Sequence, residues 1–570
     1  MVYRFVFYRC FGIVLLLAIA VAARAQNGTP NAAQTNVQVQ SLGQVEPFEV
    51  GALAGIPYEM PKRQWQGTGA DIAARLMSDL PERGASPLLN RLAASVLISP
   101  STPPIDGAGD MKLASLRLAS VYRLGQLDAV IDLAERSPGG LSDPENAAIA
   151  TQAFLALGKD TEACETAIRL QNGRGAVFWL KVRAFCLARE GRTAAAELTA
   201  DLVLEADPED VDFLLALNNM LRKDQQPVKP INALELAMAR FAGAPIDLSE
   251  APFSLKSAFL DTPGQSGLEA ARMMAAAGLL PSEKLAMLYM NWNDPALPVP
   301  DLTEAAIQDE VTEDGFAHAD TEEAPQIDDE AMLDFALSQN DLARAALIYQ
   351  SATRTRNDHA RAKAVFAGLR HEKDLGAFFA AAHLYAPLLA RTDPEGIQNN
   401  ATMARTFAYA LLIAGRPMQA RAYVFAADDE DTRRLLRLYE KGYALADFDK
   451  TKNINLAYTD LMAFYGLGVP LTDGLRDFVF SHSADNEEVT PCRSGAMVAI
   501  MDGARHKARA ASFLRTALML TDGGFDGVEP QCGGAVISAF KTMGYEYLAR
   551  QAALEMMLGP RLRTLNALSE

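Results

Sequence analysis

Five cysteines, three tryptophans and six histidines in 570 residues leave little for chemistry that needs thiolates, imidazoles or stacked indoles. No C-x-x-C pair occurs, and the histidines are scattered without the spacing of metal ligands. His371-Glu372 lacks the second histidine of a zinc-protease helix. There is no G-x-S-x-G elbow, no Walker A loop and no dinucleotide fingerprint. Runs that alternate apolar and polar residues are few, so no sheet of any size is expected. Positive charge is also short. Lys and Arg number 53 against 71 Asp and Glu, a formal charge of −18. Such a balance argues against nucleic acid, whose phosphates need a basic face, and against anionic membrane surfaces.

Long apolar runs are confined to the N-terminus. Arg4 and Arg9 precede the short apolar stretch from Phe11 to Ala23, and Ala23-Arg24-Ala25 is a small-x-small site. This is the pattern of a Sec-type signal peptide cleaved after Ala25, with Gln26 as the new N-terminus. The stretch is too short to span a bilayer comfortably. Cys10 precedes the apolar core, so it is not placed as a lipoprotein cysteine. A periplasmic or secreted protein with no transmembrane segment in its mature form is expected.

What the sequence has in abundance is helical periodicity. Ala150, Ala153, Phe154 and Leu157 fall on one helical face, as do Val177, Leu180, Ala184 and Leu187. Gly125, Gly158 and Gly191 follow successive apolar helices at intervals of 33 residues. A period of about 33–34 residues belongs to stacked helix pairs. Five positions after the turn a small residue lets two helices approach: Ala163 after Gly158, Ala196 after Gly191, Ala420 after Gly415 and Ala549 after Gly544. Asn340, which tolerates a left-handed turn, is followed in the same way by Ala345, whereas Gly125 is followed by Val130. Pro208 closes one unit, and Trp179 lies one place from where the pattern would put an aromatic.

This pattern resembles the tetratricopeptide repeat. The resemblance implies an all-α fold, a TPR-like α-solenoid or array of helical hairpins, here in two halves. Such stacks bury a continuous core and leave a concave surface that takes a peptide or a partner's helix. The N-terminal succession Trp65-x-Gly-Thr68, Leu80-Pro81 and Ser86-Pro-Leu-Leu is similar to exported bacterial helical proteins without an assigned activity. Some of those bear the label antifreeze glycopeptide polyprotein. No tandem Thr-Ala-Ala array occurs here to match an ice surface, so that label is read as compositional.

The chain divides into a signal peptide at 1–25, an extended N-terminal arm at 26–66, and a first helical array at 67–298. An acidic linker at 299–330 and a second array at 331–570 follow. The arm is rich in Asn, Gln, Gly and Pro and holds no helical period. Asp301 to Glu330 carries twelve carboxylates and no Lys or Arg, and without calcium-loop spacing it is read as a self-repelling joint.

Four cysteines survive signal removal, which in an exported chain suggests disulfides. Cys164 lies early in the second helix of one hairpin and Cys186 late in the first helix of the next. Antiparallel neighbours bring those ends together, so the expected pairs are Cys164–Cys186 and Cys492–Cys532. Each short loop should contribute roughly 3 kcal/mol, chiefly through the unfolded state. No cofactor and no metal is expected. A calcium ion on Asp522, Asp526 and Glu529 is the weaker reading of a Gly-rich turn.

Two enzyme readings compete with binding. Ser538-x-x-Lys541 fits the nucleophile pattern of penicillin-recognising enzymes, but their other motifs are missing. Exported helical superhelices also occur in lytic transglycosylases, whose catalytic glutamate sits in a Glu-Ser dipeptide. This chain has no such dipeptide and no marked carboxylate pair. The expected function is therefore a non-enzymatic binding or scaffold protein for an envelope protein or peptide. The alternative is an envelope enzyme or export accessory with no recognisable catalytic motif.

Overall fold

A computed structural model of the chain describes residues 46–52, 58–293, 329–397, 400–440, 454–481 and 489–567. Among the described residues every regular element is helical, and strand pairing is limited to three isolated bridges. No described helix is long and apolar enough to cross a membrane.

The first helices are α1 (Ala70–Asp79) and α2 (Pro87–Ile98). Three hairpins follow: α3 (Met111–Arg123) with α4 (Leu127–Arg136), α5 (Pro144–Ala156) with α6 (Asp160–Arg169), and α7 (Val177–Arg189) with α8 (Thr193–Ala206). Each hairpin pivots on one of the glycines picked out by spacing. Gly125 has φ +70°, Gly158 +72° and Gly191 +76°. The residue after the glycine donates its amide to the carbonyl five residues back, as Gln126 does to Val121, Lys159 to Phe154 and Arg192 to Leu187. That paired bonding ties off the helix end, and it needs a left-handed residue at the pivot. The small residues five positions on, Ala163 and Ala196, are fully buried, and so is the larger Val130.

The array does not run on as an open trough. Helix α9 (Val211–Arg222) ends on left-handed Lys223, and α10 (Ala233–Ala242) folds back across α5 and reaches α7. The first helices of the hairpins line the inner face of such a stack, so the chain's own α10 covers that face at α5 and α7. Its Leu234, Leu236, Ala237, Met238 and Ala239 are all buried. Arg240 fastens it by donating to the carbonyls of Leu155 and Ala156 at the end of α5.

Helices α11 (Phe253–Ser257), α12 (Gln265–Ala276) and α13 (Ser282–Asn291) complete the first run. The second run begins with α14 (Asp329–Ser338), α15 (Asp341–Arg354), α16 (Asp358–His371) and α17 (Leu375–Leu389). It continues through α18 (Ala401–Ile413), α19 (Pro417–Ala427) and α20 (Glu430–Arg437), each packing on the one before. Then come α21 (Ile454–Gly466), α22 (Asp473–Ser481), α23 (Ser494–Arg505), α24 (Arg509–Met519), α25 (Pro530–Thr542) and α26 (Glu546–Ala567). Gly415 and Gly544 make the same left-handed pivots, with Ala420 and Ala549 fully buried beyond them. Asn340 does not. Its φ is −64° and its side chain accepts the Ala343 amide, so it starts α15 instead of ending α14. Asparagine is as well suited to an N-cap as to a left-handed turn, and spacing alone does not separate the two. Lys507 at φ +60° fills a pivot position that no glycine marked.

The two runs share one core, and residues 45–570 form one compact unit. Helix α12 packs on α17, while α1 and α2 pack on α24. Ala510 donates its amide to the Gln64 carbonyl, and Ala85 to that of Thr521. Of the acidic joint, residues 299–328 lie outside the described residues. Asp329 and Glu330 open α14, where they meet the Thr355 hydroxyl and Lys363.

The described part of the expected arm is packed, not free. Residues 1–45 and 53–57 lie outside the described residues, but Phe48 and Trp65 are buried and meet edge to face at 6.2 Å. The irregular backbone is held by Arg117 of α3, which donates to the carbonyls of Pro47, Val50, Leu97 and Ser99. Burial pulls that guanidinium down to about 10. Carbonyls that would be orphaned by an aperiodic segment are thus satisfied from elsewhere in the chain. Arg117→Met should release the segment. Hydrogen exchange at the Ala52 and Ser101 amides, which bond Ile98 and Phe48, should speed up as if about 2 kcal/mol of local stability were gone. Unchanged protection there would contradict the anchoring role.

Candidate functional site

Helix α12 lies at the joint of the two runs, and three adjoining cavities follow it. The turn after it is clamped from the first run. Asn90 of α2 donates to the Ala277 carbonyl at 3.0 Å, and Gln126 donates to Leu279 at 3.3 Å. Gly278 has φ +74°, and a Cβ there would stand 2.6 Å from the Pro87 carbonyl oxygen, so both conformation and contact require glycine. On the other side the end of α12 meets the start of α17 at Gly376, where a Cβ would lie 2.3 Å from the Ala276 carbonyl oxygen.

The first cavity, about 250 Å³, lies between Glu82, Phe253, Lys256 and Glu269. The middle one, about 300 Å³, holds the strongest electrostatics. Arg272 of α12 reaches across it to Glu372 at 3.0 Å and to Asp341 at 2.8 Å. Burial opposes its charge, but the two carboxylates more than offset that and its pKa is raised. His371 Nε2 stands 3.1 Å from the same Asp341. Tyr289, Tyr349 and Tyr385 line up edge to face at 5.9 and 5.6 Å. Burial raises the pKa of each, so the phenols stay neutral. Asp374, which also lines this cavity, is spent capping α17 through the Ala377 amide. Glu372 and Asp341 share one cation and Asp374 serves a cap. That arrangement cross-links the runs and leaves only Glu269, exposed to solvent, as a carboxylate of this cavity outside the network.

The third cavity is the largest, about 470 Å³, bounded by α2, the turn from Gly278 to Ser282, and α17. Arg91 and His383 look onto it from opposite helices. The Nε of Arg91 and Nε2 of His383 are buried with no hydrogen-bond partner. Burial, then the charge of Arg91, lowers His383 to about 4, so its imidazole is neutral.

Sequence reasoning singled out none of these cleft residues for this place except His371-Glu372, and that for a different chemistry. The residues it did single out are elsewhere. Cys164 and Cys186 lie at disulfide distance between α6 and α7, their Cα atoms 5.7 Å apart. Cys492 and Cys532 are similarly placed at 5.9 Å. Glu529 lies beside the second pair, close enough for a three-ligand metal group. Its carboxylate instead accepts from the Cys492 amide and the Gln531 side chain. Asp526, offered for calcium, is paired with Arg563. Lys541 does not face Ser538 as a base: its Nζ donates to the Leu467 carbonyl. Peptide mapping of the unreduced protein should find the links 164–186 and 492–532. A free thiol at any of the four, or a crossed pair, would contradict that connectivity.

No family model matches the chain, and neither does any curated protein or solved structure.

Proposed function

We propose that this is an exported, TPR-like binding or scaffold protein of the bacterial envelope, acting in the periplasm or outside the cell without catalysis. Its partner is an envelope protein or peptide, held in the cleft along α12. One observation carries the reading: three cavities adjoin along a single helix at the joint of two helical runs, where ligand sites commonly form. The inner face of the first run, the usual surface of a repeat stack, is already covered by α10 at α5 and α7. Three of the four carboxylates lining the middle cavity, Asp341, Glu372 and Asp374, are engaged with Arg272 or a helix cap, and the fourth, Glu269, is exposed to solvent, which counts against the envelope-enzyme alternative.

Crosslinking pull-down from an envelope fraction with the tagged mature chain tests it. One envelope protein or peptide recovered in stoichiometric amount supports the reading. Repeated failure to recover any would favour the enzyme. Residues 1–25 fused ahead of a periplasm-dependent reporter should export it, and retention in the cytoplasm would remove the compartment.

A further inference from the structure

The 470 Å³ cavity has a composition different from the rest of the cleft. Its walls are Pro87, Leu279, Leu280, Leu285, Phe379 and Ala380. Only a few polar groups converge on it. Arg91 makes no ion pair among the described residues, and its guanidinium lies 5.7 Å from the Tyr58 ring, which does not neutralise it. Glu555, whose charge reaches Arg91, is already engaged with the Ser86 hydroxyl and the Leu88 amide. Glu283 is exposed at the rim. His383 sits one helical turn beyond Phe379 on α17, with a buried Nε2 that lacks a partner. The Arg91 Nε and the His383 Nε2, both buried without a partner beside apolar walls, are costly unless something pairs with them.

We propose that this cavity binds a small carboxylic acid with an apolar body, its carboxylate held by Arg91 and His383. The volume lies within the range of about 300–1,000 Å³ typical of small-molecule sites. Arg91 supplies the charge and a fork of donors that matches a carboxylate. The neutral imidazole donates one N–H from Nε2. The aliphatic walls and Phe379 take the apolar body, and a zwitterion or a sugar would leave its polar groups unpaired against them. This chamber is part of the cleft along α12, so a bound acid would occupy one end of the surface assigned to the partner, but its binding is measured with no partner present and does not depend on one.

Isothermal titration of the mature protein with decanoate, below its micelle concentration, tests the proposal. One saturable site per chain is expected, with decanol binding at least about tenfold more weakly, because a charged hydrogen bond is worth at least that much when buried. Arg91→Gln should weaken decanoate by about tenfold or more and leave decanol unchanged. Ala380→Phe, which fills the chamber without touching its charge, should remove binding of both, while Arg83→Gln outside this chamber should change neither. Circular dichroism melts confirm that each variant folds. The proposal is overturned by no saturable binding, by several equivalent sites, by equal affinity for decanol, or by an Arg91→Gln variant that binds decanoate as before.

Discussion

Glu555→Gln should make the protein more stable at pH 8 and leave it unchanged at pH 4. Glu555 is fully buried on α26, and its carboxyl accepts from the Ser86 hydroxyl and, at 2.9 Å, from the Leu88 amide. It therefore clasps the start of α2 to the last helix. Burial raises its pKa from 4.5 to about 7, against smaller lowering effects of Ser86, Leu88 and Arg91. The folded chain thus holds this proton where the unfolded chain has lost it. Below about pH 4.5 both states are protonated and the group contributes no pH dependence. As pH rises from there to about 7 the unfolded state alone ionises, and stability falls. Above about 7 the full loss, on the order of 3 kcal/mol, remains. Glutamine keeps an acceptor for Leu88 and offers an N–H to Ser86, so it removes the ionisation and retains the clasp. Thermal melts of both proteins across pH 4 to 8 provide the check. Curves that stay parallel would mean Glu555 titrates as an ordinary carboxyl.

Asp460→Asn should do the opposite and destabilise the fold by about 4 kcal/mol. Asp460 of α21 is fully buried between two guanidiniums, Arg434 of α20 at 2.9 Å and Arg561 of α26 at 2.7 Å. Burial disfavours the charge on Arg561, but Asp460 more than offsets this and its pKa is raised. Removing the carboxylate leaves two buried cations facing each other, with Asp431 at 3.5 and 3.6 Å on the exposed edge. Asp431→Asn should cost no more than about 1 kcal/mol, since solvent screens that carboxylate. Chemical denaturation of the two variants side by side gives the comparison. Equal, small losses would show that Asp460 is not the keystone of the cluster.

The hairpins were legible because their signals are local. A glycine at the pivot and a small residue five positions later both follow from bonding within one turn, and Gly158 with Ala163 obeys them without reference to the rest of the chain. Asn340 shows the limit, since the same residue type serves either end of a helix. The packing of residues 46–52 and 58–66 was illegible because the donor that holds the Pro47 and Val50 carbonyls in place is Arg117, some 70 residues on. The return of α10 left a readable trace: Ala233 to Ala242 is apolar on most of its circumference, and of its apolar side chains Phe241 alone stays exposed. The cleft left no trace. Arg272, Asp341 and Glu372 meet across separations of 69 and 100 residues, and each looks in sequence like an ordinary charge on a helix surface. Arg91 and His383 are farther apart still.

Site-specific photocrosslinking tests most directly whether the work of this protein is done in the cleft along α12. A photoreactive residue at Ala380, between the two larger cavities, is compared with one at Met418, exposed on the outer face of α19. In the envelope fraction one discrete adduct is predicted from position 380 and none from 418. Adducts from 418 alone, or the same set from both positions, would contradict a role for the cleft.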